Sequence, residues 1–348
     1  MLLTSCSWSA EDGAAAAGGT WSDLKLSNAR SFRHALALDP ATGNLFWSRW
    51  GQGVWVSSDQ GKTFARADGE RISGNPFSPA AIVVSPDGGK IAVFSSQAKA
   101  LSGHSLDGGK TWTSWSQIGA HGLDYGAVDW ESGAILVMPH EERKAYLSAD
   151  MGKTWTQLPL DYPAGSNNPH KAGQHLHYQA GLGVFGAKEL VYSQERGIER
   201  SEDSGKTWIK VADHCCCGPV QVFKGIAYWL AKKEQDGKWT GQLIASKDRG
   251  KTRVPVGQAI ENGGSMYMTV PRFGKDVRHV AIATAMGILE SVDSAVTWKL
   301  VTTYPDQVER TARFVDTDDC FEFDASRKVF YVYFFKDYGG ACWRFEKQ

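Results

Sequence analysis

An eight-residue phrase, Ser-x-Asp-x-Gly-x-Thr-Trp, recurs six times along this 348-residue chain and constrains its fold more than any other feature. The copies run from Ser57 to Phe64, Ser105 to Trp112, Ser148 to Trp155, Ser201 to Trp208, Ser246 to Arg253 and Ser291 to Trp298, the last with Ala295 in place of glycine. Their aspartates, Asp59, Asp107, Asp150, Asp203, Asp248 and Asp293, lie 48, 43, 53, 45 and 45 residues apart, which is the period of a four-stranded propeller blade. The phrase reads as a hairpin turn. Its Asp accepts from backbone N–H groups, its Gly permits positive φ, and its Trp anchors the next strand.

Between the phrases lie short apolar or alternating runs such as Ala35 to Leu38, Asn44 to Arg49 and Val54 to Ser57, so six phrases mark six blades. A further set, Cys320 to Phe323, Lys328 to Phe335 and Ala341 to Phe345, lacks its own phrase and stops one strand short. Gly18 to Leu26 repeats the tail of a phrase and its outgoing strand, as Gly152 to Leu160 does. The sequence therefore predicts an all-β, seven-bladed propeller of four-stranded blades, over residues 18 to 348, whose last blade is closed by the N-terminal strand so that no edge stays open.

The repeated phrase resembles the Asp box, or bacterial neuraminidase repeat, of sialidases and many other propellers. That resemblance implies the fold. It leaves the function open, because Asp-box turns sit away from the active site in those families and occur on propellers of unrelated function.

Lys and Arg number 38 and Asp and Glu 38, with no basic run, so neither nucleic acid nor an anionic membrane surface is an expected partner. No apolar stretch approaches the roughly 20 residues of a spanning helix. Leu3-Thr4-Ser5-Cys6 resembles the end of a bacterial lipoprotein signal. Residues 1 to 17 then read as a leader and tether lipidated at Cys6, which places the ring in the periplasm or outside the cell.

The innermost strand of each blade begins on the face opposite the box turns, called the top face below, and the loops between the second and third strands return there. Five of nine histidines and four of six cysteines fall at those strand starts. Imidazole with thiolate suits copper or zinc, and His34, His121, His177, His214, Cys215 and Cys217 form the expected ligand pool at the channel mouth. Successive strand residues alternate faces, so Cys215 and Cys217 share a side and Cys216 does not. A disulfide or plain packing of small thiols are the competing readings of that run.

Charged residues at Arg49-Trp50, His140 to Arg143, Glu195-Arg196 and Lys336 to Tyr338 join the same face. There an arginine fork would hold a carboxylate and a Trp or Tyr would stack on a sugar. A carbohydrate-active enzyme would use His177 as base, Tyr178 as acid and Arg196 or Arg33 as carboxylate clamp. The sialidase resemblance implies an arginine triad, and Phe32-Arg33-His34-Ala35 departs from the family's Phe/Tyr-Arg-Ile-Pro. Arg196, Arg272 and Arg313 are the other arginines at hand. Gly-x-Ser-x-Gly, Walker and Gly-x-Gly-x-x-Gly sequences are absent. The non-enzyme reading is a rigid ring presenting the mouth to a glycan or a protein partner, with Thr156 to Gly173 as a docking loop.

Overall fold

The computed structural model describes residues 18–26, 35–76, 79–118, 122–139, 144–158, 181–194, 197–212, 215–216, 220–265, 268–305, 321–334 and 341–348. It is an all-β ring of seven antiparallel sheets. Blade 1 consists of Ala35–Leu38, Leu45–Arg49, Gly53–Ser57 and Ala65–Arg66, and the other blades repeat that order. The first strands are innermost, since Ala35–Leu38 lies against both Ile82–Val84 of blade 2 and Phe321–Asp324 of blade 7. Closure occurs as the sequence predicts. Gly19–Asp23 pairs antiparallel with Ala341–Lys347, with Gly19 opposite Lys347, Trp21 opposite Phe345 and Asp23 opposite Trp343.

The box chemistry is uniform. In every copy the Thr N–H donates to Asp Oδ1 at 2.8–2.9 Å and the Thr hydroxyl to Asp Oδ2 at 2.6–2.7 Å. The Ser hydroxyl donates to the same Asp and accepts from the N–H of the Gly, or of Ala295 in the sixth copy. The turn also needs a left-handed residue before the glycine, which the sequence reading did not anticipate. Gln60, Met151, Ser204, Arg249 and Ser294 adopt φ of 59–65° there.

The box tryptophans act as clasps as much as core. Trp112 is buried, whereas Trp21, Trp155, Trp208 and Trp298 are half-buried. The Trp155 and Trp298 N–H groups reach the preceding blade, at Ser116 O and Gln258 O. Those of Trp112 and Trp208 close their own turns on Gly109 O and Gly205 O at 3.0 Å. Arg253, where the fifth box lacks its Trp, makes the same bond to Gly250 O at 3.0 Å.

These hydrogen bonds hold the carboxylates of Asp107, Asp150, Asp203 and Asp248 at a pKa of about 2, below the usual 3.8. A depressed carboxyl pKa contributes stability that is fully present above 3.8 and is lost as pH falls through about 2. The melting temperature is therefore expected to hold down to about pH 4 and to fall between pH 4 and 2. Asp150→Asn should flatten that decline, which thermal unfolding across pH would measure.

Blade 5 departs from the repeat. Its second and third strands, Ile226–Gln235 and Lys238–Ser246, are the longest in the ring and meet at Asp236-Gly237, with φ of 54° and 74°. That is the two-residue hairpin turn suited to strand twist. The hairpin rises above the top face and is flanked by Cys215–Cys216 and Ile260–Glu261. Among the described residues no helix is long and apolar enough to cross a membrane.

Candidate functional site

On the top face one asparagine links the turns of neighbouring blades. Asn75 lies on the connection from blade 1 to blade 2 and is buried. Its Oδ1 accepts from Gly51 N, in the turn after Leu45–Arg49, at 2.6 Å. Its Nδ2 donates to Gln97 Oε1 at 3.1 Å, and its carbonyl accepts from Ser96 N and Ser96 Oγ. Ser96 in turn bridges to Gly122 at the start of blade 3, where Leu123 N donates to Ser95 O. A buried residue whose polar groups pair with two separate segments fixes both to its own.

The fixed rim is strained. Gln97 adopts φ of 100° and Lys99 64°, both unusual for residues with side chains. Gly122, at φ 79°, sits so close that a Cβ there would meet Gln97 O at 2.5 Å and Ser95 O at 2.6 Å. Strain of this kind costs about 1–3 kcal/mol per residue and persists where the surroundings over-determine it.

Beside Asn75, the half-buried Arg49 stacks its guanidinium over two indoles, with Cζ 5.0 Å from the ring centroids of both Trp47 and Trp55. Trp47 and Trp55 are cross-strand partners, and Arg49 stands two residues beyond Trp47 on the same strand face. The Trp55 N–H donates to Gln52 O at 3.0 Å and so fixes its ring.

Lower in the channel, the inner strands of blades 5, 6 and 7 are joined by side chains. Arg272 donates to Gln221 Oε1 and to Glu322 Oε1, each at 3.1 Å, with both charged groups about one-seventh exposed. Arg272 is one of the arginines considered for carboxylate binding, and here it ties three blades together. Arg272→Met is expected to cost about 2 kcal/mol, because Glu322 keeps its burial without that counter-charge. Urea unfolding would measure it, and adding Glu322→Leu should restore much of the loss.

Arg33, His34, His121, His177, Tyr178, Arg196, His214 and Cys217 lie outside the described residues. Cys215 belongs to the uppermost inner strand of blade 5, opposite Lys232. Among the described residues no group of three or more His, Cys, Asp or Glu is placed to hold a metal. His104 is buried and accepts from the Trp115 N–H at 2.7 Å, and burial lowers its pKa. His279 pairs with Glu290 at 2.7 Å.

On the box face, a cleft of about 420 Å³ between blades 4 and 5 is lined in part by Phe185, Glu189, Glu202, Arg249 and Lys251. Its carboxylates are already taken. Glu189 is held by the buried Arg200 at 2.6 Å and by Arg249, and Glu202 by Arg200 and by Lys251 at 3.0 Å. The cluster latches two blades.

No family model matches the sequence, and no curated protein matches it. Solved structures do. The chain is similar to YCF48 from Cyanidioschyzon merolae, with a TM-score of 0.54 and 14% identity, over 95% of this chain and 99% of that one. It is also similar to an ancestral GH74 enzyme, with a TM-score of 0.50 and 13% identity, over 96% of this chain and 44% of that one, so it spans less than half of the enzyme's length. At such identities the likeness is one of fold, and the fold it shares is the seven-bladed β-propeller.

Proposed function

We propose that this chain is a binding platform, a divergent Asp-box propeller that presents the top turns of blades 1 to 3 to a partner polypeptide. The observation that carries this reading is the strained, over-determined rim. Asn75 locks three segments, and Gln97 is held at φ 100° within them. A backbone held in an unfavourable conformation on a rigid scaffold suits a surface whose shape must be ready before its partner arrives. Rings with unrelated functions share this fold, so the site and not the fold supports the assignment.

Peptide and glycan arrays probed side by side test this reading. Retention of extended peptides, weakened by Asn75→Ala, is the expected result. Turnover of a glycan polymer would instead favour the carbohydrate-active alternative built on Arg33, His177, Tyr178 and Arg196.

A second reading keeps copper or zinc at the channel mouth of an extracytoplasmic ring. It is favoured by the position of Cys215 on the inner strand, at the top of blade 5. Elemental analysis of the unsupplemented protein with a free-thiol titration tests it. Near-stoichiometric metal supports the site, and metal retained when Cys215 and Cys217 are replaced by Ser would remove the cysteines from it.

A further inference from the structure

Five described arginines are buried or half-buried, and four of them are accounted for. Arg200 holds Glu189 and Glu202, Arg253 donates to the carbonyls of Gly250 and Val211, Arg272 holds Glu322, and Arg344 holds Glu346 and Gln60. Arg49 differs. Its Nε is buried, as is that of Arg344, but where Arg344 still holds Glu346 and Gln60 through Nη2, no acceptor among the described residues meets the Arg49 guanidinium, whose described contacts are the indole faces of Trp47 and Trp55. A buried donor left without an acceptor is costly, and a charged donor more so. Stacking of the guanidinium faces satisfies the cation in part while leaving its hydrogen-bonding edge unmatched.

The location favours a ligand from outside. Arg49 ends the second strand of blade 1 at the top face, and the following turn is the one Asn75 holds through Gly51 N. Trp50, half-buried at that turn, adds apolar surface next to the charge.

We propose, building on the docking-rim reading, that Arg49 receives a carboxylate side chain from an acidic, extended segment of the partner polypeptide. One guanidinium between two indoles matches one negative charge. A phosphate dianion would bring a second charge into the same apolar setting, so the site favours a carboxylate over a phosphate group. The indole pair fixes the fork in advance, which lowers the ordering cost of binding.

The test is a titration of the full chain at low salt with an alternating glutamate–glycine peptide, its glutamine counterpart and inorganic phosphate, read by calorimetry and by tryptophan fluorescence. The glutamate peptide should bind at least about tenfold more tightly than the glutamine peptide. Arg49→Gln should remove that preference, Arg49→Lys should retain part of it, and Trp55→Phe should reduce the fluorescence response. Thermal melts of each variant confirm that it is folded. The proposal is overturned if the folded wild type ignores the glutamate peptide, if Arg49→Gln binds it unchanged, or if phosphate binds Arg49 more tightly than the peptide does. Unchanged binding by Arg49→Gln together with loss in Asn75→Ala would discard Arg49 and keep the docking rim. Peptide arrays that retain nothing on the wild-type chain would discard the rim itself.

Discussion

Trp21→Ala is expected to destabilise the ring by about 3 kcal/mol, at the low end for loss of a packed Trp because the residue is half-buried. The side chain does two things at the closure. Its ring packs on Phe345 at 5.1 Å and on Tyr304 at 6.1 Å, and its N–H reaches Thr302 Oγ1 and Thr303 O in blade 6. It therefore joins the N-terminal strand both to the strand it completes and to the neighbouring blade. Chemical denaturation should show a lower midpoint, and hydrogen exchange should show faster opening of Gly19–Asp23 than of blade 3. Equal loss of protection in all seven blades would mean that the ring unfolds as one unit and has no weak seam at this closure.

Gly152→Ala is expected to cost a similar amount, about 3 kcal/mol, from two sources that add. Gly152 has φ of 80°, where a Cβ is strained, and that Cβ would fall 2.3 Å from Trp115 Cδ1 in blade 2. The clash involves a buried indole that also packs on Phe94 and holds His104, so it has little room to yield. The same relation recurs where Leu24 meets Gly61 and Leu158 meets Gly205. The box glycine is thus the seat for a side chain of the preceding blade as well as a turn residue. Gly186→Ala serves as the control, since its φ of 76° is comparable and no atom lies within 4 Å of the added Cβ. The difference between the two variants measures the inter-blade contact alone.

The fold was legible because its signal is local and repeated. Each box places Ser, Asp, Gly and Thr within seven residues, and those residues bond to one another, so nothing distant is needed to recognise the turn. The closing strand was legible for the same reason, as Gly19-Thr20-Trp21 carries the tail of the phrase. The rim was not. Asn75 bonds to Gly51 and Gln97, 24 and 22 residues away, across loops whose lengths follow no repeat. Nothing in the residues around Asn75 distinguishes it from an ordinary loop asparagine. The Arg49 site was partly legible, since Trp47-Ser48-Arg49 alternates on one strand and Trp55 stands opposite Trp47. The sequence points to Arg49 as a carboxylate fork and to Trp50 as a sugar-stacking ring, whereas the rings that meet the Arg49 guanidinium are Trp47 and Trp55. The blade 5 hairpin had its own signal in Asp236-Gly237 between alternating runs.

A photo-crosslinking amino acid introduced in the native host at Gln52 or Lys99 on the top rim, and separately at Lys110 or Lys206 on the box face, tests the docking-face assignment most directly. A discrete adduct with one polypeptide from the rim positions, lost in Asn75→Ala, and none from the box positions is the expected result. Adducts from the box face alone, or none from the rim, would contradict that assignment.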